Sequence, residues 1–594
     1  MTNPPKPSNY EIFRQADFNR PDHYPLSQPV SPELYRPLAA WMGRLILPKP
    51  EEREKVKGAW FELHHAGGGY EHLVGQVLYL RWHDLSEVMS RVWSAARDVY
   101  LSEAVEQSLA EGLVHPTRLD HWRLVTSLES LAGARPNDDV IVMLREPVKV
   151  VESPGQDEPA ALYINREPVQ ITGRYYALVK FLAPVQSDSD LFGVVHFNRA
   201  TRQFDGPEEI VQLPETIIDT EQLYRSTSHG IEQDPLNETG WYIAGAKDSA
   251  GTFVVQALAP RALLNLQPDQ VVVGEKAAVN FVQKLVWQDT TERKGQINAT
   301  LLTAEGDEKT ALNSWQEGDQ ALLVNTYGGI GNGREPYPYP GGYYFGHFSY
   351  GRARVIREPL ADELSFDIEY FQVFSSNGDG LIPGVLHWTR YIGDRQFGYL
   401  GYRPVCDILL KLDCFTTSYD FAHRSISALD RMSVFLEFLL HLYRIGGGTG
   451  GVYFGVANNC TQDSNQALYA AVKDLDVSFK EHPLVQDMLK RHPEEAERFD
   501  RLLKLGHDLR RTLLPMGTVR ADWRYNFQLF EVSLNERTWM NILRALMSWR
   551  AMTPHWASTA VTKVFLEHGA TAWVLRTNQV GNYDPEMVPK AIDP

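Results

Sequence analysis

One cysteine of this chain lies in a sequence context that suits a thiol nucleophile. A polar stretch at 455–466 leads into apolar residues that recur with the period of an amphipathic α-helix. Asn458 or Asn459 is a good N-cap residue, so we expect Cys460 at the start of that helix. Unpaired amide hydrogens and the helix dipole stabilise a thiolate there, which lowers the thiol pKa. The pattern therefore predicts a reactive cysteine.

A histidine and a glutamine upstream are expected to face each other in a β-hairpin formed by residues 343–374. Apolar residues alternate along both predicted strands, and His347 and Gln372 each lie on the apolar face of their own strand. Pairing Val355 with Leu364 across the turn sets His347 opposite Gln372. A buried imidazole needs a partner for its second nitrogen, and the Gln372 side chain can provide one.

These residues together suit acyl transfer through a covalent intermediate. We expect the Cys460 thiolate to attack an amide or ester carbonyl and to form an acyl-enzyme. His347 would take the thiol proton and return it to the leaving group, while Gln372 would orient the ring. Asp367 and Glu369, on the other face of the second strand, are the alternatives for this third role.

The oxyanion of such a reaction would need hydrogen-bond donors near the helix start. The Cys460 amide can supply one, and the side chain of Asn459 or Gln462 can supply another. The chemistry requires no metal and no organic cofactor. The glycine-rich loop at 446–451 lacks the Lys-Ser/Thr of a phosphate-binding loop and follows a helix, so we do not expect it to bind phosphate.

The other two cysteines are predicted to be packing residues. Cys406 and Cys414 are eight residues apart, which is not the spacing of a zinc knuckle; a metal site that borrows His423 is the alternative. Three cysteines in 594 residues favour a reducing compartment, and the N-terminal residues lack the basic and apolar regions of a secretory signal. We therefore expect a cytoplasmic protein.

Composition limits the kinds of partner. The chain has 58 basic and 75 acidic residues, a net charge of −17, so there is no overall electrostatic attraction to nucleic acid or to anionic membranes. We find no apolar run of about 18 residues, the length that a transmembrane helix needs. The expected partners are a peptide, acyl-amide or ester substrate, and a protein partner on the N-terminal β modules.

Strand and helix patterns predict a multidomain α+β protein. Strand-rich segments with regular turn signals indicate β barrels or sandwiches in the N-terminal half, and helical periodicity dominates after Cys460. We divide the chain into a proline-rich arm (1–55), two β-rich modules (56–150 and 151–270), the domain that carries the candidate site (271–475) and a helical C-terminal region (476–594).

The order of the elements resembles a known family. A Gly-Asp turn precedes an apolar strand, then come the His347 strand, the Gln372 strand and finally Cys460 at a helix start. This order resembles the circularly permuted papain-like thiol hydrolases, the NlpC-type and lecithin retinol acyltransferase-like group. The resemblance covers about 315–475. It implies that Cys460 is the nucleophile, His347 the base and Gln372 the third polar residue. The insertion between Phe374 and Gly455 departs from the family pattern.

A second resemblance concerns the amino-acid sequences of two motifs. Residues 346–351 and 460–469 are similar to uncharacterised cyanobacterial proteins labelled as Abi or CAAX-type proteases. Those membrane proteases place acidic residues and histidines on transmembrane helices, and this chain has no such segment. The alternative to an enzyme is a non-enzymatic scaffold, in which the β modules bind a protein and the papain-like domain is structural. A reactive thiol at Cys460 would distinguish the two.

Overall fold

The structure is a computed structural model, and it describes thirteen ranges of the chain. These are 12–13, 16–97, 125–135, 139–153, 155, 158–219, 223, 226–332, 346–374, 380–421, 424–445, 459–513 and 553–592. The first predicted residues of the hairpin, the glycine-rich loop at 446–451 and His423 lie outside the described residues.

The strands are numbered along the chain. Those of the first half are β1 (Arg36–Pro37), β2 (Trp41–Ile46), β3 (Ala59–His65), β4 (Val77–Trp82), β5 (Val140–Leu144), β6 (Lys149–Val151), β7 (Ala161–Ile164), β8 (Val169–Gln170), β9 (Tyr175–Pro184), β10 (Leu191–His196), β11 (Glu208–Gln212), β12 (Trp241–Lys247) and β13 (Phe253–Pro260). Those of the second half are β14 (Gln270–Val273), β15 (Ile297–Thr303), β16 (Gln320–Tyr327), β17 (Gly329–Ile330), β18 (His347–Glu358), β19 (Glu363–Gln372), β20 (Gly384–His387), β21 (Pro404–Lys411), β22 (Tyr419–Phe421), β23 (Arg424–Ile426), β24 (Thr571–Asn578) and β25 (Pro589–Lys590).

The α-helices of the described residues are short in the first half and longer after residue 428. They are α1 (Arg53–Val56), α2 (Ser86–Arg97), α3 (Ser127–Ala132), α4 (Arg261–Leu264), α5 (Glu275–Asn280), α6 (Glu308–Asn313), α7 (Trp388–Tyr391), α8 (Asp413–Thr416), α9 (Ala428–Ile445), α10 (Cys460–Glu481), α11 (Pro483–Arg491), α12 (Pro493–Leu513) and α13 (Pro554–Glu567).

A small barrel forms from the segment that the sequence predicts to be β-rich. Its strands follow the order β9, β10, β11, β13 and β12, and the pairing of β12 with β9 closes the ring. All neighbours are antiparallel except β11 and β13, which are parallel. Closure removes the free edges that an open sheet of this size would expose.

A second, larger sheet carries the candidate site. Its order is β14-β15-β24-β21-β16-β18-β19-β20-β8-β5-β2-β3-β4-β7-β6. Strands β2 to β8 join the rest of this sheet through a parallel pairing of β8 with β20. β24, from the C-terminal region, pairs with β15 and β21 in the middle of the other half. Strands that are distant in sequence therefore form one hydrogen-bonded unit.

The central strands are apolar on both faces because each face meets a different core. On β18, Phe348 and Tyr350 contact the core beneath the helices α9, α10, α12 and α13. Ala353 and Val355, on the alternate positions, contact the core shared with the barrel. The sequence of a strand that is buried on both sides is a nearly continuous run of apolar residues, as in β16. Polar residues within such a run are therefore conspicuous.

The α+β class is confirmed, with large sheets and a helical region towards the C-terminus. The proposed boundaries between modules stay predictions. Among the described residues, no helix combines the length and the apolar character that crossing a membrane would require.

Candidate active site

Cys460 is the first residue of α10, as the capping pattern predicts. The side-chain oxygen of Asn459 accepts hydrogen bonds from the amides of Thr461 (3.0 Å) and Gln462 (2.9 Å). Asn459 has an extended backbone, so the helix begins directly after it. The thiol is 6% exposed and lies at the positive end of the helix dipole.

The surroundings of Cys460 favour its ionised form. Burial by itself would raise the pKa of this thiol, but the charge of His347 and a hydrogen bond with it lower the pKa. The amide of Phe348 and the hydroxyl of Thr461 lower it further, and the net effect is a pKa below the ordinary value of a cysteine. The helix start and the imidazole thus act together on one sulfur atom.

The predicted hairpin forms from β18 and β19, with a register that differs from the expected one by two residues. Val355 pairs with Phe366 and not with Leu364, so continuing the ladder by one residue beyond Tyr350–Phe371 sets Ser349 opposite Gln372. A shift of two residues keeps every side chain on its predicted face, because side chains alternate with a period of two. The expectation that His347 lies directly opposite Gln372 is therefore wrong.

His347 and Gln372 nevertheless contact each other along the diagonal. His347 Nε2 lies 2.9 Å from Gln372 Oε1, and both side chains are buried. A carboxamide oxygen can only accept, so Nε2 carries the proton. The nitrogen that remains for the thiol of Cys460 is Nδ1. The hydrogen bond thereby selects the tautomer that can accept the thiol proton.

Gln372 is held by further buried polar groups that the sequence did not reveal. Gln372 Nε2 donates to Ser349 Oγ (2.9 Å), and this hydroxyl donates to Asn325 Oδ1 (3.2 Å). Asn325 Nδ2 donates to Asp407 Oδ1 at 2.6 Å. Tyr391 also donates to Asn325 Oδ1, at 2.8 Å. We call the side chains of His347, Gln372, Ser349, Asn325 and Asp407 the polar chain.

Asp407 determines the direction of donation of the hydrogen bonds in the polar chain. Its second oxygen accepts from Tyr370 at 2.6 Å, so its carboxylate receives a hydrogen bond on each oxygen. Burial raises the pKa of Asp407 to about 6, although the bonds from Tyr370 and Asn325 oppose this rise. An ionised carboxylate can only accept, so each preceding group must donate towards it. The Gln372 oxygen consequently faces His347.

Tyr327 supports the imidazole from the neighbouring strand. It pairs with His347 in the ladder between β16 and β18, and the two rings stack with centroids 5.1 Å apart. Tyr399 stacks in turn on Tyr327, with centroids 4.4 Å apart. Aromatic stacking of this kind restricts rotation of the imidazole about its side-chain bonds.

The first two turns of α10 are an unusual run of buried polar side chains. Residues 461–466 are at most 1% exposed. Tyr350 donates to Asn465 at 2.7 Å, and Tyr443 hydrogen-bonds to Asp463. Buried polar groups are costly unless they find partners, so these bonds hold the helix start against β18 and α9.

The residues expected to stabilise an oxyanion lie beside the thiol, and some of their hydrogen-bonding groups already have partners. The Asn459 oxygen caps the helix, and this bond engages the amides of Thr461 and Gln462. The Cys460 amide is then the first amide of the helix that remains a backbone candidate. The Gln462 side chain is fully buried in the same turn.

The alternatives for the third role have other partners. Asp367 accepts from His387 Nε2 at 2.9 Å, and Glu369 binds Arg145, whose Nε lies 2.9 Å from it. Neither carboxylate belongs to the polar chain.

Cys406 and Cys414 lie in the core beneath the helices. Burial raises the pKa of each to about 12. Within the described ranges, which do not include His423, no group of three or more His, Cys, Asp or Glu side chains could hold a metal ion.

Sequence reasoning missed Asn325, Asp407 and Tyr327, although a signal for the first two exists. Each is a strongly polar residue inside a largely apolar strand, Asn325 on β16 and Asp407 on β21. A lone polar side chain in a doubly buried strand must find a partner, and these two are directly paired across the ladder.

Comparisons with models of known protein families, with curated proteins and with solved structures find no match.

Proposed function

We propose that the chain is a cysteine-dependent hydrolase or acyltransferase that acts on an amide or ester bond through an acyl-enzyme on Cys460. The observation that carries the proposal is the position of His347. It hydrogen-bonds to Gln372, and its proximity to Cys460 lowers the thiol pKa although the sulfur is buried.

The roles follow from the donors and acceptors around the imidazole. Cys460 loses its proton to Nδ1 of His347 and attacks the carbonyl carbon of the substrate. The tetrahedral intermediate collapses when the imidazolium returns the proton to the leaving amine or alcohol. Gln372 accepts from Nε2 throughout, and so it stabilises the orientation of the ring. Water or a second nucleophile then releases the acyl group.

The permuted papain-like domain at 271–475 is part of this proposal. In its support, β16, the His347 strand, the Gln372 strand and the helix headed by Cys460 follow one another in the order of that family. The insertion after Gln372 contributes β20, β21 and α9. β21 brings Asp407 to the polar chain, so the insertion takes part in building the site.

The test is an acyl-type electrophile, such as a peptidyl vinyl ester or a p-nitrophenyl ester, followed by mass spectrometry of the Cys460 peptide. We expect acylation of the wild type and its loss in His347→Ala, with Cys406→Ser as the matched control that keeps the site. Folding of each variant is checked by circular dichroism. A folded His347→Ala protein that is acylated as fast as the wild type would refute the enzyme.

A scaffold is the second candidate function, and the burial of the thiol favours it. Only 6% of Cys460 is exposed, as for a packing residue. In that case the polar chain would serve stability alone, and no electrophile would discriminate Cys460 from the two core thiols.

A further inference from the structure

A large cavity lies away from the proposed active site. It has a volume of about 830 Å³ and is bounded by residues 19–26 of the N-terminal segment, by β2, β3 and β5, and by the start of the barrel. Neither Cys460, His347 nor Gln372 lines it. Cavities of this size suit a small organic molecule.

The charged side chains that line the cavity are almost completely paired. Five are arginines and four are carboxylates. The ion pairs are Arg20–Asp22 (3.0 Å), Arg44–Glu62 (2.9 Å), Arg135–Asp139 (3.7 Å) and Arg390–Asp394 (2.6 Å). Each carboxylate is thereby neutralised by its own guanidinium, and one arginine remains.

The remaining cation is Arg174, directly before β9. It is 8% exposed, and it forms no ion pair with any residue in the described ranges. Its Nη2 donates to the carbonyl of Tyr24 at 2.7 Å. A guanidinium has five N–H donors, so a single carbonyl leaves most of its capacity unused. Buried charges are ordinarily paired, because removing an ion from water is costly.

The electrostatics of the cavity agree with one uncompensated positive charge. Burial lowers the pKa of Arg174, and the charge of the nearby Glu62 only partly opposes this effect. His64 also lines the cavity, and its pKa is lowered by burial, so it adds no positive charge near neutral pH. The field therefore favours a ligand with a single negative charge.

We propose that this cavity binds a small organic carboxylate through Arg174. A carboxylate matches the planar guanidinium with two parallel hydrogen bonds. The ligand carries no ammonium group, because every carboxylate that lines the cavity already has its arginine. An N-acylated amino acid has this charge pattern, whereas a free amino acid does not.

The ligand body has apolar surface available to it. The ring of Phe397 lines the cavity, and the guanidinium of Arg390 lies 4.6 Å from its centroid. Ile171 and Leu26 line the cavity as well. An apolar acyl or side-chain group of the ligand would be buried against these residues, which contributes affinity without further charge.

The experiment measures binding of N-acetylglycine, N-acetylleucine and N-acetylphenylalanine by saturation-transfer NMR. Each is compared with its primary amide and with the free amino acid. We expect at least one acetylated carboxylate to bind at millimolar concentration, and its amide and its free amino acid to bind at least about tenfold more weakly. Absence of binding by all three acids, or equal binding of acids and amides, would overturn the proposal.

Variants then locate the binding. Arg174→Gln is expected to abolish it. Arg20→Lys, which changes a paired and more exposed arginine at the same cavity but leaves Asp22 compensated, is expected to retain it. If Arg174→Gln does not fold, Arg174→Lys replaces it as the test variant, because it keeps the positive charge. Arg174→Lys should bind the ligand at least about tenfold more weakly than the wild type does. Cys460→Ala should bind the acetylated carboxylates as the wild type does. Loss of binding in Cys460→Ala would show that the ligand binds at the thiol site and not in this cavity.

Discussion

Asn325 donates a 2.6 Å hydrogen bond to Asp407 on the neighbouring strand, and this bond ends a line of polar side chains that begins at the imidazole of His347. The two residues are 82 positions apart in sequence and directly paired across the ladder between β16 and β21. Because every donor along this line is directed towards Asp407, a carboxylate remote from the thiol determines which nitrogen of His347 carries the proton.

Alkylation should distinguish the three thiols. We expect iodoacetamide to modify Cys460 far faster than Cys406 or Cys414 near neutral pH, because the thiolate is the reactive form. The pKa of Cys460 is lowered, whereas burial raises the pKa of the other two to about 12. Peptide mass spectrometry of the native protein gives the three rates, and a denatured sample is the control. Equal rates in the native protein would contradict a catalytic thiol.

Gln372 variants should separate orientation of the imidazole from its basicity. Gln372→Ala is expected to slow acylation of Cys460 by about 10- to 100-fold, because the ring loses the acceptor for Nε2. Loss of the base in His347→Ala should cost more, about 10²- to 10⁴-fold.

Gln372→Glu is the matched control, since a carboxylate oxygen can still accept from His347 Nε2. It should retain more activity than Gln372→Ala, although it gives up the donation to Ser349. Acylation rates are compared after the unfolding midpoint of each variant is measured. If Cys460 is acylated at the same rate in Gln372→Ala and in the wild type, Gln372 contributes only to the stability of the sheet.

Asp407 should make stability depend on pH. Its folded-state pKa is about 6, whereas an unfolded aspartate titrates at about 3.9, so the folded state favours the protonated form. Its contribution to stability is therefore fully present below about pH 4 and falls as the pH rises through 6. A difference of roughly two pKa units corresponds to about 3 kcal/mol.

Asp407→Asn removes this titration with little change in shape, and the Tyr370 hydroxyl can turn to accept from the new amide. The free energy of unfolding of the wild type relative to Asp407→Asn should fall by about 2 kcal/mol between pH 4 and pH 7. Urea unfolding at several pH values measures it. A difference that does not change with pH would show that the carboxylate is not buried as described.

Asn459 variants should separate helix capping from charge. Asn459→Ala loses both bonds to the amides of Thr461 and Gln462 and should destabilise the protein by about 1 kcal/mol. Asn459→Asp keeps a capping oxygen but adds a negative charge beside the thiol, so it should raise the pKa of Cys460. The pH dependence of alkylation measures this pKa. A stable Asn459→Asp protein with an unchanged profile would contradict the proposed environment of the sulfur.

The sequence alone determined the start of α10 and the faces of the two hairpin strands. Both are local properties: an asparagine side chain can reach only the amides of the next turn, and alternation along a strand sorts its side chains between two faces. These properties sufficed to predict that Cys460, His347 and Gln372 would lie together: His347 hydrogen-bonds to Gln372 and lowers the pKa of Cys460.

The register of the hairpin was decided by the tertiary structure. Sequence alternation cannot distinguish registers that differ by two residues, because both leave the same side chains on the apolar face. The turn that selects the observed register includes Asp362 in a left-handed conformation (φ 55°), and β18 and β19 are also held by their outer neighbours β16 and β20. Ser349, and not His347, therefore lies opposite Gln372.

The polar chain beyond Gln372 also depends on tertiary structure. Asn325 and Asp407 are polar residues in largely apolar strands, and only the pairing of β16 with β21 gives each its partner. Asn325 and Asp407 are 82 residues apart in sequence, so their pairing is a long-range contact that no local pattern encodes. The thiol of Cys460 and the imidazole of His347 were thus accessible from the sequence, whereas the carboxylate of Asp407 at the end of the polar chain became visible only once the strands were paired.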